Sequence, residues 1–294
     1  MIWLIGNKGM LGSEIARQFE ENKIEYCGSD REVDFTDSAA VESFVDGKKI
    51  DFIINCAAYT AVDKAESDQE LARKLNVEGP KTIAKLAKKI GATLIHISTD
   101  YVFDGSANTP RTEEMPIAPI GVYGLTKADG EKAVSENTDK YYILRTAWLY
   151  GWAGKNFVYT MIRAMNTHDA VKVVNDQKGS PTFAGDLAKV IISVINKKDL
   201  PYGIYHCTDL GEITWWDFTN EIKNQAIKAG LLTNKDCLVN PCSTDEYPTP
   251  AKRPAYSVLS KDKIQKELGI TLPQWQDSLD VFINSPLFDK SRLE

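Results

Sequence analysis

The sequence has 294 residues, of which 43% are hydrophobic, and it carries 35 Lys and Arg against 41 Asp and Glu. This length suffices for one large domain or two of ordinary size, and the composition is that of a globular protein. The net charge of -6 disfavours a cationic surface for nucleic acid or anionic lipid. We therefore expect neither a nucleic-acid nor a membrane partner, and any bound anion must be recognised locally.

The sequence shows no targeting or membrane segment. Its first residues run directly into a predicted strand, without the basic and apolar regions of a signal peptide. No apolar run approaches the roughly 18 residues needed to span a bilayer. The five cysteines are scattered, without the short paired spacing of a zinc or redox motif. These features predict a cytoplasmic protein with reduced thiols.

The N-terminal half alternates short apolar runs with amphipathic ones. Residues 2–5 predict a strand, and apolar residues then recur at helical spacing as far as Phe19. Further strands are predicted at 25–28, 51–57, 93–98 and 141–146, and helical residues between the third and fourth end near Gly91. Repeated strand and helix units with fully apolar strands predict an α/β fold, a doubly wound parallel sheet of the Rossmann type.

The pattern loosens after about residue 151 into helices, isolated strands and loops that contain proline. We expect an NAD(P)-binding Rossmann domain over residues 1–151 and a smaller α/β, mainly substrate-binding portion over 152–294. Segments near 180–208 are expected to pack back onto the first domain. Thr214 with Asp217 predicts a capped helix, and Pro273 suits the first turn of a last helix that ends near Ile283.

A glycine-rich turn, Gly6, Gly9 and Gly12, lies between the first strand and its helix. Its spacing differs by one residue from Gly-x-Gly-x-x-Gly. It still offers a tight turn, close backbone approach to a pyrophosphate, and amides at the positive end of a helix. After the next strand, Asp30 can accept a ribose 2'-hydroxyl and Arg31 can meet a 2'-phosphate. We therefore expect both NADH and NADPH to bind.

A second pattern is the pair Tyr123 and Lys127, which lie four residues apart and so share one face of a helix. A nearby ammonium group lowers the pKa of a phenol and lets it act as an acid or base closer to neutral pH. In isolation, such a pair is commonly a surface helix pair. Here the predicted strand 94–98 leads directly into Thr99, at the sheet edge where ligands bind. Thr99 could then hydrogen-bond the oxygen that Tyr123 protonates.

Together these segments resemble the extended short-chain dehydrogenase/reductases and, within them, the family of dTDP-4-dehydrorhamnose reductases. The likeness rests on the glycine turn, residues 55–66, residues 98–105 and the Tyr/Lys pair, and it continues through 145–151, 156–157, 175–182 and 253–259. The glycine turn and the Tyr/Lys pair specify only the superfamily. Residues 61–66 (Ala-Val-Asp-Lys-Ala-Glu) and 98–103 (Ser-Thr-Asp-Tyr-Val-Phe) carry the narrower likeness.

The resemblance implies reduction of the 4-keto group of dTDP-4-dehydro-6-deoxy-L-mannose to dTDP-L-rhamnose, with hydride from NADPH or NADH. Tyr123 would be the general acid, Lys127 would lower its pKa and hold the nicotinamide ribose, and Thr99 would position the carbonyl oxygen. By the same resemblance, further residues would line the path of the dinucleotide. They are Gly9, Met10 and Leu11 at the pyrophosphate, Asp34 and Phe35 near the adenine, and Ala57, Ala58 and Tyr59 along the remainder.

For the substrate, the resemblance assigns Thr99, Asp100 and Trp148 to the sugar. We add Arg253 as a ligand of the diphosphate, because a guanidinium fork suits phosphate oxygens and nearby prolines restrain its loop. Members of the family have been associated with Mg²⁺ held by glutamates at a dimer contact. Glu14 is one candidate in this sequence, but the full ligand set is unknown, and a homodimer is expected only on this resemblance.

Two other functions remain open at this stage. One is a nucleotide-sugar epimerase or 4,6-dehydratase on the same scaffold. Dehydratases usually carry Asp-Glu after the strand-end Thr, whereas Thr99 is followed here by Asp100 and Tyr101, which disfavours dehydration. The other is a non-catalytic subunit like the regulatory partner of methionine adenosyltransferase. The intact set of Thr99, Tyr123 and Lys127 argues against a purely regulatory role.

Overall fold

The structure, a computed structural model, describes residues 1–293. The strands are β1 (Ile2–Ile5), β2 (Tyr26–Ser29), β3 (Phe52–Asn55), β4 (Thr93–Thr99), β5 (Tyr141–Thr146), β6 (Leu149–Tyr150), β7 (Ala170–Val174), β8 (Lys178–Gly179), β9 (Thr182–Phe183), β10 (Gly203–His206), β11 (Ile213–Thr214) and β12 (Leu238–Cys242). The α-helices are α1 (Met10–Glu21), α2 (Ser38–Val45), α3 (Val62–Ala65), α4 (Gln69–Arg73), α5 (Gly79–Ile90), α6 (Val122–Asn137), α7 (Phe157–Thr167), α8 (Ala184–Asn196), α9 (Trp215–Lys228), α10 (Asp262–Leu268) and α11 (Trp275–Asn284). A π-helical turn (Lys74–Glu78) joins α4 to α5, and short 3-10 helices lie at Asp100–Val102 and Lys290–Leu293.

The central sheet has six strands in the order β2-β1-β3-β4-β5-β10, and every neighbouring pair is parallel. From β1 the chain moves to one side for β2 and then to the other side for β3 and β4. This reversal creates a crevice at the carboxyl ends of the strands, where doubly wound sheets bind their ligands. The predicted fold class, a doubly wound parallel sheet, is confirmed.

Helices cover both faces of the sheet. Ile2 and Leu4 of β1 belong to the core shared with α1 and α8, whereas Trp3 and Ile5 belong to the core on the opposite side with α2 and α5. Side chains alternate between the two faces of a strand, so a strand covered on both sides is apolar at every position. This burial explains the continuous apolar runs in the sequence.

A separate aromatic core lies away from the sheet. It is built from α7, α9 and α11 together with the short strands β6 and β9, and its centre includes Tyr150, Phe183, Phe218 and Phe282. The chain returns to the sheet between these elements, because α8 packs on α1 and β10 pairs with β5. Within residues 1–293, no helix is long and apolar enough to cross a membrane.

Local signals set several of the element boundaries. Thr214 and Asp217 form the predicted capping box of α9, with N–H···O distances of 3.1 and 2.9 Å. The prediction for Pro273 is wrong, because α11 begins two residues later, at Trp275. The Pro273 carbonyl instead accepts a hydrogen bond from the Leu210 amide at 2.8 Å, and this extended pairing delays the helix.

Candidate active site

A cleft of about 1370 Å³ opens at the carboxyl ends of the central strands. One wall comes from residues at the carboxyl ends of β1 to β5 and directly after them, including Thr99 and the glycine turn. The other comes from α7, β7, the start of α9 and the loop around Thr249 and Arg253. The sheet thus supplies one side of the cleft, and the C-terminal half of the chain supplies the other, which we call the second wall.

Most of the predicted site residues line this cleft: Gly6, Gly9, Met10, Leu11, Asp30, Arg31, Asp34, Phe35, Ala57, Ala58, Thr99, Asp100, Tyr123, Lys127, Trp148 and Arg253. Gly12 and Tyr59 are not among its lining residues. The Tyr59 amide donates to Asn76 Oδ1 at 2.8 Å and its phenol donates to Asp68 Oδ2 at 3.1 Å. Tyr59 therefore lies behind the residues that line the cleft and supports them through these hydrogen bonds.

The glycine turn is shaped by two close backbone approaches. Gly6 has a φ of +75°, and a Cβ there would lie 3.0 Å from the Ala57 amide nitrogen. A Cβ at Gly12 would lie 2.0 Å from the carbonyl oxygen of Gly6. Gly9 is the residue before α1, and the first amides of a helix have no intrahelical acceptor. The Gly6 and Gly9 amides donate to the carbonyl oxygens of Ser29 and Gly6, so the free N–H groups are those of the first turn of α1, from Met10, as a pyrophosphate site requires.

Charged groups of both signs meet beyond the end of β2. The Arg31 amide donates to Asp30 Oδ1 at 2.8 Å, and the Asp30 amide donates to Glu32 Oε1 at 2.8 Å. Lys8 of the glycine turn approaches Glu32 Oε2 to 3.4 Å. Asp30, Arg31, Glu32 and Lys8 all line the cleft, so a ribose at this end would meet acceptors and cations together.

Tyr123, Lys127 and Thr99 converge from α6 and β4. Helix α6 begins at Val122, whose amide donates to Glu66 Oε1 at 2.9 Å, so Tyr123 is its second residue. The Lys127 ammonium is buried and donates to the carbonyl oxygen of Ile97 at 2.6 Å. The Thr99 hydroxyl donates to Asp100 Oδ1 at 2.9 Å.

Burial controls the titration of these groups. It raises the pKa of Tyr123 to about 12, an effect that the Thr99 hydroxyl partly offsets. It lowers the pKa of Lys127 to about 8. The Lys127 ammonium is bonded to the Ile97 carbonyl, and burial is the largest cause of the raised pKa of Tyr123. That Lys127 lowers the pKa of Tyr123 stays a prediction. The phenol thus holds its proton at neutral pH, as a general acid must.

Asp100 adds a buried carboxyl group beside the phenol. Burial raises its pKa to about 6, although the Ser257 hydroxyl and then the Thr99 hydroxyl oppose this shift. Its Oδ2 atom is buried and has no hydrogen-bond partner among residues 1–293. An acceptor without a partner at the cleft wall is suited to bind a substrate hydroxyl.

Trp148 is held between two neighbours. Its indole stacks on Trp215 with the ring centroids 3.6 Å apart and the planes 12° from parallel. A Cβ at Gly179 would lie 2.6 to 2.8 Å from three atoms of the Trp148 ring, and these are its three nearest atoms. A Cβ on Gly179 would therefore not lie between the two indoles. Gly179 covers the face of the Trp148 indole that is turned away from Trp215. Trp148 also has a φ of +47°, an uncommon conformation for a residue with a side chain.

Arg253 reaches the cleft as predicted, but its charge is already balanced. Its guanidinium donates to both oxygens of Asp63, at 2.8 and 3.0 Å, and this pairing lowers the pKa of Asp63. One nitrogen also donates to Thr249 Oγ1. A substrate phosphate at this position would have to share the guanidinium with Asp63.

Glu14, the candidate Mg²⁺ ligand, is already hydrogen-bonded by side chains of its own helix. The Glu14 carboxylate accepts hydrogen bonds from Arg17, at 2.6 and 3.0 Å, and from Gln18 at 2.8 Å. Residues 1–293 contain no group of three or more His, Cys, Asp or Glu side chains that could hold a metal ion.

Sequence reasoning missed most of the second wall. Its members share an apolar or long side chain on α7, β7, α9 or the loop after β12, and they include Phe157, Met161, Lys172, Trp215 and Tyr247. Asn156-Phe157 belongs to the segments that carry the family likeness, but no role was assigned to it. The doublet Trp215-Trp216, directly after a predicted helix cap, was the signal that could have drawn attention to Trp215.

The cleft combines a glycine turn of the dinucleotide-binding type with the protonated phenol of Tyr123 and the hydroxyl of Thr99 at the end of β4. This combination defines a dinucleotide-dependent oxidoreductase of the extended short-chain class. More narrowly, the chain belongs to the family described as the RmlD substrate binding domain, whose sequence model matches residues 1–287. The resemblance seen in the sequence is thereby confirmed.

Known relatives cover nearly the whole chain. It is 40% identical over 298 residues to the dTDP-4-dehydrorhamnose reductase of Escherichia coli K12, covering 96% of this chain and 97% of that one. It is 42% identical over 283 residues to a probable dTDP-4,6-dihydroxy-2-methyloxan-3-one 4-ketoreductase of Streptomyces antibioticus, covering 95% and 93%. The crystal structure of a dTDP-4-dehydrorhamnose reductase from Bacillus anthracis in complex with NADP superposes with a TM-score of 0.88, at 36% identity and with 96% and 97% of the two chains covered.

Proposed function

We propose that this protein reduces the 4-keto group of dTDP-4-dehydro-6-deoxy-L-mannose with NADPH or NADH, and so forms dTDP-L-rhamnose in the final step of its synthesis. The observation that carries this proposal is the placement of Tyr123, Lys127 and Thr99 in one cleft with the glycine turn. The names of the relatives support the substrate.

The reaction adds a hydride to C4 of the sugar and a proton to its oxygen. A bound dinucleotide supplies the hydride from its reduced nicotinamide ring and becomes oxidised. Tyr123 donates its phenolic proton to the oxygen, which its raised pKa of about 12 permits at neutral pH. Thr99 turns its hydroxyl hydrogen from Asp100 to the same oxygen. Proton transfer from a positioned side chain typically contributes about 10²- to 10⁴-fold to the rate.

The glycine turn fits a dinucleotide pyrophosphate. Met10 and Leu11 would hold it through their backbone amides at the start of α1, and Gly6 and Gly9 would let the backbone approach it closely. Lys127 holds the nicotinamide ribose, and Ala57 and Ala58 line the path between. Asp30 accepts from the 2'-hydroxyl of NADH and Arg31 meets the 2'-phosphate of NADPH, so both cofactors support turnover. Asp34 and Phe35 flank the adenine, while Gly12 and Tyr59 support the turn and its wall from outside the cleft.

The nucleotide sugar lies against the second wall. Asp100 and Trp148 contact the sugar, and Arg253 binds the diphosphate in competition with Asp63. On this view residues 1–151 mainly bind the dinucleotide, and residues 152–294 mainly bind the substrate. We expect Arg253→Ala to raise the KM for the nucleotide sugar by about tenfold or more, because a charge-assisted hydrogen bond is lost. An unchanged KM would remove Arg253 from the substrate site.

The proposed activity is tested with the purified chain, NADPH and dTDP-4-dehydro-6-deoxy-L-mannose. We expect one NADPH to be consumed for each dTDP-L-rhamnose formed. Conversion of the sugar without net oxidation of NADPH would indicate an epimerase or dehydratase instead. Binding of NADPH without any turnover would indicate a non-catalytic subunit.

A second candidate substrate is the ketone in the name of the Streptomyces antibioticus relative, which is 42% identical to this chain. The same proton donor and turn would serve its reduction, so only the sugar contacts would differ. A comparison of kcat/KM for the two ketones with NADPH decides between them. A ratio that favours the second ketone would reassign the substrate but keep the reaction.

A further inference from the structure

Glu131 lies one helical turn beyond Lys127, on the same face of α6 as Tyr123 and Lys127. Its carboxylate is buried and accepts from Arg145 at 2.7 and 2.9 Å. It also accepts from the Ser98 hydroxyl at 2.5 Å. One carboxylate therefore joins α6 to β4, which contains Ser98, and to β5, which contains Arg145.

Glu131, Ser98 and Arg145 meet next to Thr99, which is part of the proposed catalytic site. Ser98 directly precedes Thr99, and it lies opposite Arg145 in the register of β4 and β5. Tyr123 and Thr99 belong to different elements, so the distance between phenol and hydroxyl depends on how α6 docks on the end of β4. The bonds of Glu131, together with that of Lys127 to Ile97, fix this docking from the helix side.

Glu131 also supplies negative charge to a buried cation. The groups that act electrostatically on Lys127 are Glu131 and the thiol of Cys56 at the end of β3, while burial disfavours its charged form. The imidazole of His96 on β4 stays neutral beside it, because burial and Lys127 hold the pKa of His96 well below its ordinary value. Burial raises the pKa of Cys56 to about 12, so its thiol is neutral at pH 7. Glu131 is thus the carboxylate that favours the ammonium form.

We propose that Glu131 is a positioning residue for the reduction: anchored by Arg145 and Ser98, it fixes α6 against β4 and keeps Lys127 charged. This inference rests on the roles of Tyr123, Lys127 and Thr99 in the proposed function and adds a residue to them. Glu131 does not line the cleft, so it acts through Lys127 and through the docking of α6.

The test compares Glu131→Gln with the unaltered protein in kcat, KM and their pH profiles, with NADPH and dTDP-4-dehydro-6-deoxy-L-mannose. We expect kcat at pH 7 to fall at least about tenfold while the KM for the sugar changes little. Burial lowers the pKa of Lys127 to about 8, and we expect the loss of its charge to set the alkaline limb. Without the carboxylate this pKa falls, so the limb should move to lower pH by about one unit.

Asp129→Asn is the matched control. It lies on the same helix and also removes a carboxylate from an ion pair with an arginine, but its pair with Arg73 (2.9 Å) is on the surface. We expect its kcat and pH profile to match those of the unaltered protein. Circular dichroism and NADPH affinity establish that each variant is folded.

Glu131→Asp covers the case in which Glu131→Gln does not fold, since it keeps the charge but shortens the reach. Its kcat should fall while its alkaline limb stays in place. A folded Glu131→Gln with unchanged kcat or an unmoved limb would overturn the inference, as would Glu131→Asp with unchanged kcat. If Tyr123→Phe keeps its turnover, the proposed function fails instead. If only the Glu131 variants behave like the unaltered protein, this inference alone fails.

Discussion

Replacing Gly12 by alanine tests the geometry of the dinucleotide turn. The new Cβ would lie 2.0 Å from the oxygen and 2.8 Å from the carbon of the Gly6 carbonyl, and 2.9 Å from Asn7 Cα. All three atoms are backbone, so no side-chain rotation can relieve the overlap. Because ordinary contacts begin near 3.4 Å, α1 must move away from Gly6 by more than 1 Å. Overpacking of this kind typically costs about 1–3 kcal/mol.

The same displacement moves the amides of α1 that would hold the pyrophosphate. A misplacement of about 1 Å at a binding constellation can cost on the order of 10²-fold. We expect the Kd for NADPH, measured by isothermal titration calorimetry, to rise at least about tenfold. At roughly 2 °C per kcal/mol for a chain of this size, the Tm should fall by about 2–6 °C.

Gly9→Ala is the stability control from the same turn. Its Cβ would lie 3.3 Å from the Gly6 oxygen, and Gly9 has an ordinary φ of -75°. We expect its Tm to stay close to that of the unaltered protein. If Gly12→Ala keeps both its Tm and its affinity for NADPH, the turn does not position α1 in the way described.

Two further predictions concern the second wall and the interior. Trp215→Ala removes the indole that stacks on Trp148 with the ring centroids 3.6 Å apart. We expect it to raise the KM for the nucleotide sugar by up to about tenfold without changing NADPH affinity. An unchanged KM would mean that the stack does not orient Trp148. Burial raises the pKa of Asp209 well above 3.8, so its contribution to stability is present below the unfolded pKa and is lost as the pH rises above it. Asp209→Asn keeps an acceptor for the Phe183 amide, which donates to Asp209 at 2.9 Å. We expect the variant to have a higher Tm at pH 7–8 and a Tm that depends less on pH. A Tm profile like that of the unaltered protein would contradict this.

The sequence predicted the sheet well and the short strands poorly. Residues 2–5 and 141–146 form β1 and β5 with the predicted bounds, because both strands are largely buried and begin with four apolar or aromatic residues in a row. The two-residue strands β6, β8, β9 and β11 have no periodic pattern of their own. They exist because tertiary packing brings distant segments together, and Pro273 was misplaced for the same reason.

The site residues likewise fall into those that a local sequence pattern identifies and those that only the tertiary structure brings to the site. The glycine turn and the Tyr123/Lys127 pair are local patterns, so their spacing was enough to find them. The hydrogen bond from Lys127 to Ile97 links residues 30 positions apart, and the burial that raises the pKa of Tyr123 depends on tertiary structure in the same way. Trp215 and Glu131 look like ordinary core and helix residues until the fold places them beside Trp148 and Lys127.

The central claim is that Tyr123 donates the proton that completes reduction of the ketone. Its most direct test is the single-turnover rate of NADPH oxidation by Tyr123→Phe with dTDP-4-dehydro-6-deoxy-L-mannose, measured beside the Kd for NADPH. We expect a rate lower by about 10²- to 10⁴-fold with little change in Kd, because only the acidic hydroxyl is lost. A rate near that of the unaltered protein would contradict it.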